Sequence, residues 1–198
     1  MHRINQIMES QLSKEESLLI ITKMIRQSKY NVQQSSFHLL LWGWVTTLAY
    51  LGQYILSVYT GFARPEMVWM ICIPAGIISG IYGYRFSSKA VITTHLDYIY
   101  SNVWLGFLLP FLAILIFGNK IGYQNITGMI LMLAGSAVFI SSRLLKHLPT
   151  LLGAIVLWAA AFLSLNYNTE IQYLFGAIGT MFGYLMPGYF LRKKEQND

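Results

Sequence analysis

Six apolar stretches, each long enough to cross a bilayer, take up most of residues 37 to 190, and the basic residues fall almost entirely between alternate pairs of them. A spanning helix needs about 20 apolar residues, at 1.5 Å rise each, to cross about 30 Å of hydrocarbon. The stretches lie at about 37–59, 67–85, 98–118, 122–142, 148–166 and 170–190, which leaves only short links in a chain of 198 residues. At 55% hydrophobic and 11% charged residues, with a positive mean hydropathy, the composition is that of a membrane protein rather than a soluble domain. The pattern predicts an all-α membrane protein with a bundle of six transmembrane helices over 37–190. A cytoplasmic segment 1–36 precedes it and a basic cytoplasmic tail 191–198 follows. Residues 1–36 lack the apolar core and small-residue cleavage site of a signal peptide, so insertion is expected through the spans themselves, with nothing removed.

Charge sets the expected orientation. Arg3, Lys14, Lys23, Arg26 and Lys29 precede the first span, Arg85 and Lys89 follow the second, Arg143 and Lys146 the fourth, and Arg192, Lys193 and Lys194 the sixth. Twelve cations therefore lie on one side, against Arg64 and Lys120 on the other, and the positive-inside bias places both termini in the cytoplasm. Topology alone accounts for the net charge of +6, so nothing points to nucleic-acid binding. Trp42, Trp44, Trp69, Tyr59, Tyr98, Tyr100, Tyr123, Tyr167 and Tyr189 lie near span ends, where amphipathic rings anchor a helix at headgroup depth. The single cysteine, Cys72, sits between Ile71 and Ile73 and reads as an apolar filler that can form no intrachain disulfide.

Residues 13–30 predict a separate amphipathic helix. Ser13 followed by Glu16 is a capping-box pattern, Leu18, Ile20, Ile21, Met24 and Ile25 share an apolar face, and Lys23, Arg26 and Lys29 flank it. Too short and too charged to span, it is expected to lie on the cytoplasmic surface against anionic headgroups. A docking helix for a protein partner or a second copy of the chain is the competing expectation. Disorder is expected for residues 1–12 and for 195–198.

The odd-numbered spans each open on a His-Leu pair, at His38, His95 and His147, and the even-numbered spans end at Arg85, Arg143 and Arg192. Three sequential hairpins around a pseudo-threefold axis would produce this, although the positive-inside rule by itself supplies the arginines. Three imidazoles gathered at one depth would suit a divalent metal such as zinc, yet a histidine at a span end also serves as an interfacial polar group. No metal or other cofactor is called for by any local motif.

Within the spans the polar residues are neutral: Thr46, Thr47, Gln53, Ser101, Asn102, Asn125, Ser136 and Thr180. Ion-coupled transporters usually keep an ionisable group in the membrane, which argues against that class. These side chains either bond between helices or to their own backbone, or face a path for a neutral or amphipathic solute. Pro74 and Pro110 are expected to kink the second and third helices and, with Asn102, to form a cavity or hinge, whereas Pro65, Pro149 and Pro187 mark span ends. Gly76 with Gly80, and Gly179 with Gly183, form two GxxxG patterns expected to bring helices of the same chain together. Arg85, His95 and Asp97 form the densest ionisable group. It suits acid-base work only weakly, because no nucleophile or second carboxylate supports it, and charge compensation at a helix start explains it as well.

The Glu-Ser-Leu-Leu-Ile-Ile helix at residues 16–21, leading to Ser-Phe-His-Leu-Leu-Leu-Trp-Gly-Trp at 36–44, resembles small polytopic inner-membrane proteins of unknown function in bacteria, particularly Bacteroidetes-like ones. The resemblance is one of layout across the chain and implies a bacterial inner membrane without supplying an activity or a functional residue. The leading functional expectation is a non-enzymatic accessory, sensory or scaffold component whose cytoplasmic face engages lipid or a protein partner. The alternative is a small transporter or channel for a neutral or amphipathic solute. A lipid-acting enzyme centred on Arg85, His95 and Asp97 comes third.

Overall fold

The computed structural model describes residues 35–87, 95–167 and 169–197, together with Leu19 and Thr22. Apart from those two residues, the amphipathic helix expected over 13–30 lies outside the described residues, as does segment 1–12. The described residues are helical with short links and contain no strand. Six helices are long and apolar enough to cross a membrane: Ser35–Thr60, Pro65–Arg85, Tyr98–Ile116, Tyr123–Leu145, Leu148–Leu165 and Glu170–Lys194. The protein is therefore an all-α, multi-pass membrane protein. We label these spans α1 to α6 in that order. The described helix of α3 begins at His95 and that of α6 runs from Thr169 through Asn197, so residues 195–197, expected to be disordered, continue the helix.

The helices are not equivalent. Within the spanning windows, 44% of α4, 39% of α5 and 56% of α6 is buried, against 6% for each of α2 and α3. Chain neighbours do pack as pairs, α1 on α2, α3 on α4 and α5 on α6. Three hairpins related by a threefold axis would bury α2, α4 and α6 alike, so the unequal burial rules out that expected symmetry. Instead α1, at 39% buried, joins α4, α5 and α6 in the centre, packed on α6, and α2 and α3 are peripheral.

Small residues draw the centre together. A Cβ on Gly179 would lie 2.6 Å from that of Ala160, and one on Gly153 would meet the Gly183 carbonyl oxygen at 2.5 Å. Pro187 explains why that oxygen is there: it has no N–H, so the carbonyl four residues earlier, that of Gly183, loses its helical partner. The chain opens into a π-turn over Met181–Leu185, and the Met186 N–H bonds back to the Met181 oxygen. Pro187, expected at a span end, thus lies inside α6 and is fully buried against α5. Between α4 and α5, Gly135 gives room for the Trp158 ring, whose Nε1 donates to the Met132 oxygen at 3.2 Å. The α4–α5 link is two residues long, with Lys146 in the left-handed region and the His147 N–H reaching the Ser142 oxygen at 3.2 Å.

The Gly76 and Gly80 pair behaves differently from its counterpart. A Cβ at either position would meet nothing within 4 Å among the described residues, so this pattern does not join helices of one chain as expected. Gly153→Ala is expected to lower stability by about 1–3 kcal/mol through overpacking. Gly80→Ala should leave stability unchanged or raise it by up to about 1 kcal/mol through helix propensity. Unfolding of both variants in detergent measures the contrast, and equal losses would show that the α5–α6 crossing is not the tight one.

Candidate functional site

Several polar residues of the spans turn inward and find partners there. Thr47 and Thr180, 4% and 2% exposed, share a hydrogen bond of 3.0 Å that ties α1 to α6. The Trp69 indole donates to Gln53 Oε1 and packs edge-on against Tyr50 at 4.7 Å between ring centres, fixing the start of α2 on α1. Thr46, Asn125 and Ser136 donate to carbonyls four residues earlier, at 2.6, 3.0 and 3.0 Å. These groups hold helices together or close on their own backbone, rather than facing a channel.

Among the described residues, Pro74, Asn102 and Pro110 do not come together in the expected cavity or hinge. All three are exposed, Pro74 on a helix packed against α1 and the other two on a helix packed against α4. Pro74 is the third residue of the α-helical segment Cys72–Ser87, directly after the 3-10 turn Pro65–Ile71. In the first turn of a helix a missing N–H forfeits no bond, so proline there starts the helix instead of bending it. Pro110 does lie inside its helix, facing outward.

The histidines stand in separate surroundings. His38 lies beside Phe37 and Tyr82, with ring centres at 5.5 and 6.0 Å, whereas His147 caps α5 and has Nδ1 2.8 Å from Thr150 Oγ1. The side chains of His95 and Asp97 lie outside the described part, and so, with them, does the cluster expected with Arg85. Among the described residues no three potential metal ligands come together.

What the fold does build is a groove at the end of the bundle where α1 begins and α6 ends. Its volume is about 510 Å³, within the roughly 300–1,000 Å³ range of ligand sites. Its floor comes from the first turns of α1, where Phe37, Leu40, Leu41, Trp44 and Val45 recur at the spacing of one helical face. Tyr82 of α2 walls one side, stacked on Phe37 with ring centres 3.7 Å apart and planes within 19°. Arg192 of α6 closes the other.

Arg192 is placed by the ridge of α6 that faces α1. Thr180, Tyr184, Gly188 and Arg192 follow at four-residue spacing, and residues so spaced share a face. Thr180 bonds Thr47, Tyr184 lies against Gly43, and Gly188 lies against Leu40, where an added Cβ would be 3.0 Å from the side chain. One turn on, Arg192 emerges over the floor those contacts define. Trp44 is held at the deep end by its Nε1 bond to the Tyr189 hydroxyl at 3.2 Å. Of the groove residues, the sequence alone marks only Trp44, as an anchor, and Arg192, as part of a basic tail. The four-residue ridge through Gly188 was the signal that joins them.

Cations gather at the same end of the bundle. Arg143, Lys146, Arg192, Lys193 and Lys194 are all exposed, and Lys194 is close enough to His147 to act on its charge. The opposite end carries Arg64 and Lys120 with the acids Glu66 and Glu170.

The class these features define is a multi-pass helical membrane protein with an apolar, cation-rimmed groove at its basic end. No protein-family model matches the chain, and neither a curated protein nor a solved structure matches it.

His147 gives a pH test of the basic end. Burial first, and the charge of Lys194 second, hold its imidazole below the ordinary value of 6.5. The unfolded chain therefore takes up the proton first as pH falls through 6.5, and stability declines until the lower folded value is reached. Above 6.5 the contribution is fully present. Unfolding measured on either side of that value should show this acid sensitivity in the native protein and a smaller one in His147→Gln, whereas identical profiles would place the titrating group elsewhere.

Proposed function

We propose that this chain is a non-enzymatic accessory, sensory or scaffold protein of a bacterial inner membrane, and that it engages anionic lipid through a cytoplasmic basic face. The observation that carries this is the gathering at one end of the bundle of five exposed cations from the ends of α4 and α6 and the link after α4. Each Lys or Arg near an anionic surface is worth about 1 kcal/mol, so such a face holds headgroups strongly at physiological salt. The charge bias between the two ends supports a cytoplasmic position for this one. The amphipathic segment that precedes α1 carries three further cations in its sequence and would add to the same face. Transport of a neutral solute finds less support, because the residues on which that alternative rests face outward.

Thermal unfolding in mild detergent, with phosphatidylglycerol or phosphatidylcholine added, tests this reading. Phosphatidylglycerol should raise Tm by several degrees more than phosphatidylcholine does. The difference should shrink at about 0.5 M salt, where the screening length is only a few ångströms. It should also shrink in the triple variant Arg143→Gln, Lys193→Gln, Lys194→Gln. Equal stabilisation by the two lipids, or an undiminished difference in the triple variant, overturns it.

A further inference from the structure

We infer that the groove between α1, α2 and α6 holds one anionic phospholipid, with its phosphate on Arg192 and an acyl chain along the floor down to Trp44. This rests on the lipid-engaging reading above but adds a stoichiometric site to it.

Three features select this occupant. The first is the match of charge and depth. The floor runs from Ser36 to Val45 along α1, nine steps that at a rise of 1.5 Å make about 14 Å. Half of a hydrocarbon core of about 30 Å is close to that length, so the groove spans one leaflet from headgroup level towards the midplane.

The second is the ordering of chemistry along that depth. Arg192 lines the groove at the basic end of the bundle, and its guanidinium offers the planar fork that binds phosphate through two N–H donors. Below it Leu40, Leu41 and Val45 present only aliphatic surface. At the deep end the Trp44 indole has its N–H already bonded to Tyr189, which leaves the groove an aromatic face there. A soluble anion would leave the floor uncovered, a detergent chain would leave the guanidinium without a phosphate, and a zwitterionic lipid would bring its choline cation up to the guanidinium beside the phosphate. A phospholipid with a net negative headgroup satisfies both ends at once.

The third is rigidity. Phe37 is stacked on Tyr82, Trp44 is bonded to Tyr189, and Leu40 is pressed against Gly188. Wall and floor are thus built before the lipid arrives, so little ordering opposes binding.

Native mass spectrometry of the full chain in mild detergent, titrated with an equimolar mixture of phosphatidylglycerol and phosphatidylcholine, tests the site. The native protein should retain one phosphatidylglycerol in preference to phosphatidylcholine by about tenfold, because the phosphate is shared and only phosphatidylcholine sets a second cation beside Arg192. Arg192→Gln should abolish the preference, while Lys193→Gln with Lys194→Gln should keep it. Loss in both variants would assign binding to the basic face as a whole and overturn the groove, leaving the broader reading intact. Absence of a singly retained lipid, or a preference that survives Arg192→Gln, overturns it as well.

A second measurement does not depend on that variant folding. Phosphatidylglycerol brominated on its acyl chains, added at one equivalent, should quench native fluorescence more than it quenches that of Trp44→Phe. Equal quenching in the two proteins would show that the chain does not lie along this floor.

Discussion

The crossing of α5 and α6 at Gly153, Gly183 and Pro187 is the contact on which the rest of the bundle depends. In a bilayer the lipid tails are as apolar as the side chains, so helices associate through close packing and a few polar bonds rather than by exclusion from water. Here a proline removes one backbone bond from α6, and the carbonyl it frees faces a glycine of α5. A side chain on residue 153 would separate them, since the atom it meets is backbone oxygen 2.5 Å away. The Cα hydrogens of Gly153 are the natural weak donors to that oxygen. The π-turn over Met181–Leu185 belongs to the same device, because widening one turn accommodates the proline ring without breaking the helix.

From that crossing the structure grows outward through α6. One side of α6 meets α5, and the ridge of Thr180, Tyr184 and Gly188 meets α1. The Thr47 and Thr180 hydroxyls are the polar fastening of this second interface. Thr180 also bonds back to the Gly176 oxygen at 2.8 Å, so its hydroxyl is satisfied within its own helix as well as across the interface. α1 in turn carries the start of α2 through Gln53 and Trp69, and α4 carries α3. The hierarchy accounts for the burial: helices near the crossing are enclosed, and those fastened to its neighbours present most of their surface outward.

Much of this architecture was legible in the sequence, and the reason for the remainder is physical. Length and apolarity identify six spans because a bilayer has a fixed thickness and admits no unpaired backbone. Which face of a span points inward is another matter, because lipid and protein interior are both apolar and the amphipathic signal of soluble helices is missing. The two GxxxG patterns show the difficulty plainly, since Gly179 and Gly183 pack on α5 while Gly76 and Gly80 face outward. Pro74 and Asn102 are expected at an interior for the same reason, and the fold places both on the outer surface. Three of the neutral polar residues are a better guide than the prolines or Asn102. Thr47, Gln53 and Thr180 must find partners in hydrocarbon, and all three mark true helix contacts.

The groove sits where it does because of a change of side-chain size along one ridge. At Gly188 the ridge has no side chain, and α1 closes on α6 until Leu40 fills the space. One turn later the same ridge carries Arg192, whose long stem and charged head must reach the headgroup region. The helices that touch at Gly188 are therefore parted at Arg192, and the gap opens in the direction of lengthening side chain. Tyr82, stacked on Phe37, prevents α2 from leaning in to close it. An apolar gap beneath a cation follows from the order of glycine then arginine on a helix face that meets a neighbour. The position of such a pair at the basic end, rather than its identity alone, sets an arginine over an apolar gap on the side of the bundle where the cations gather.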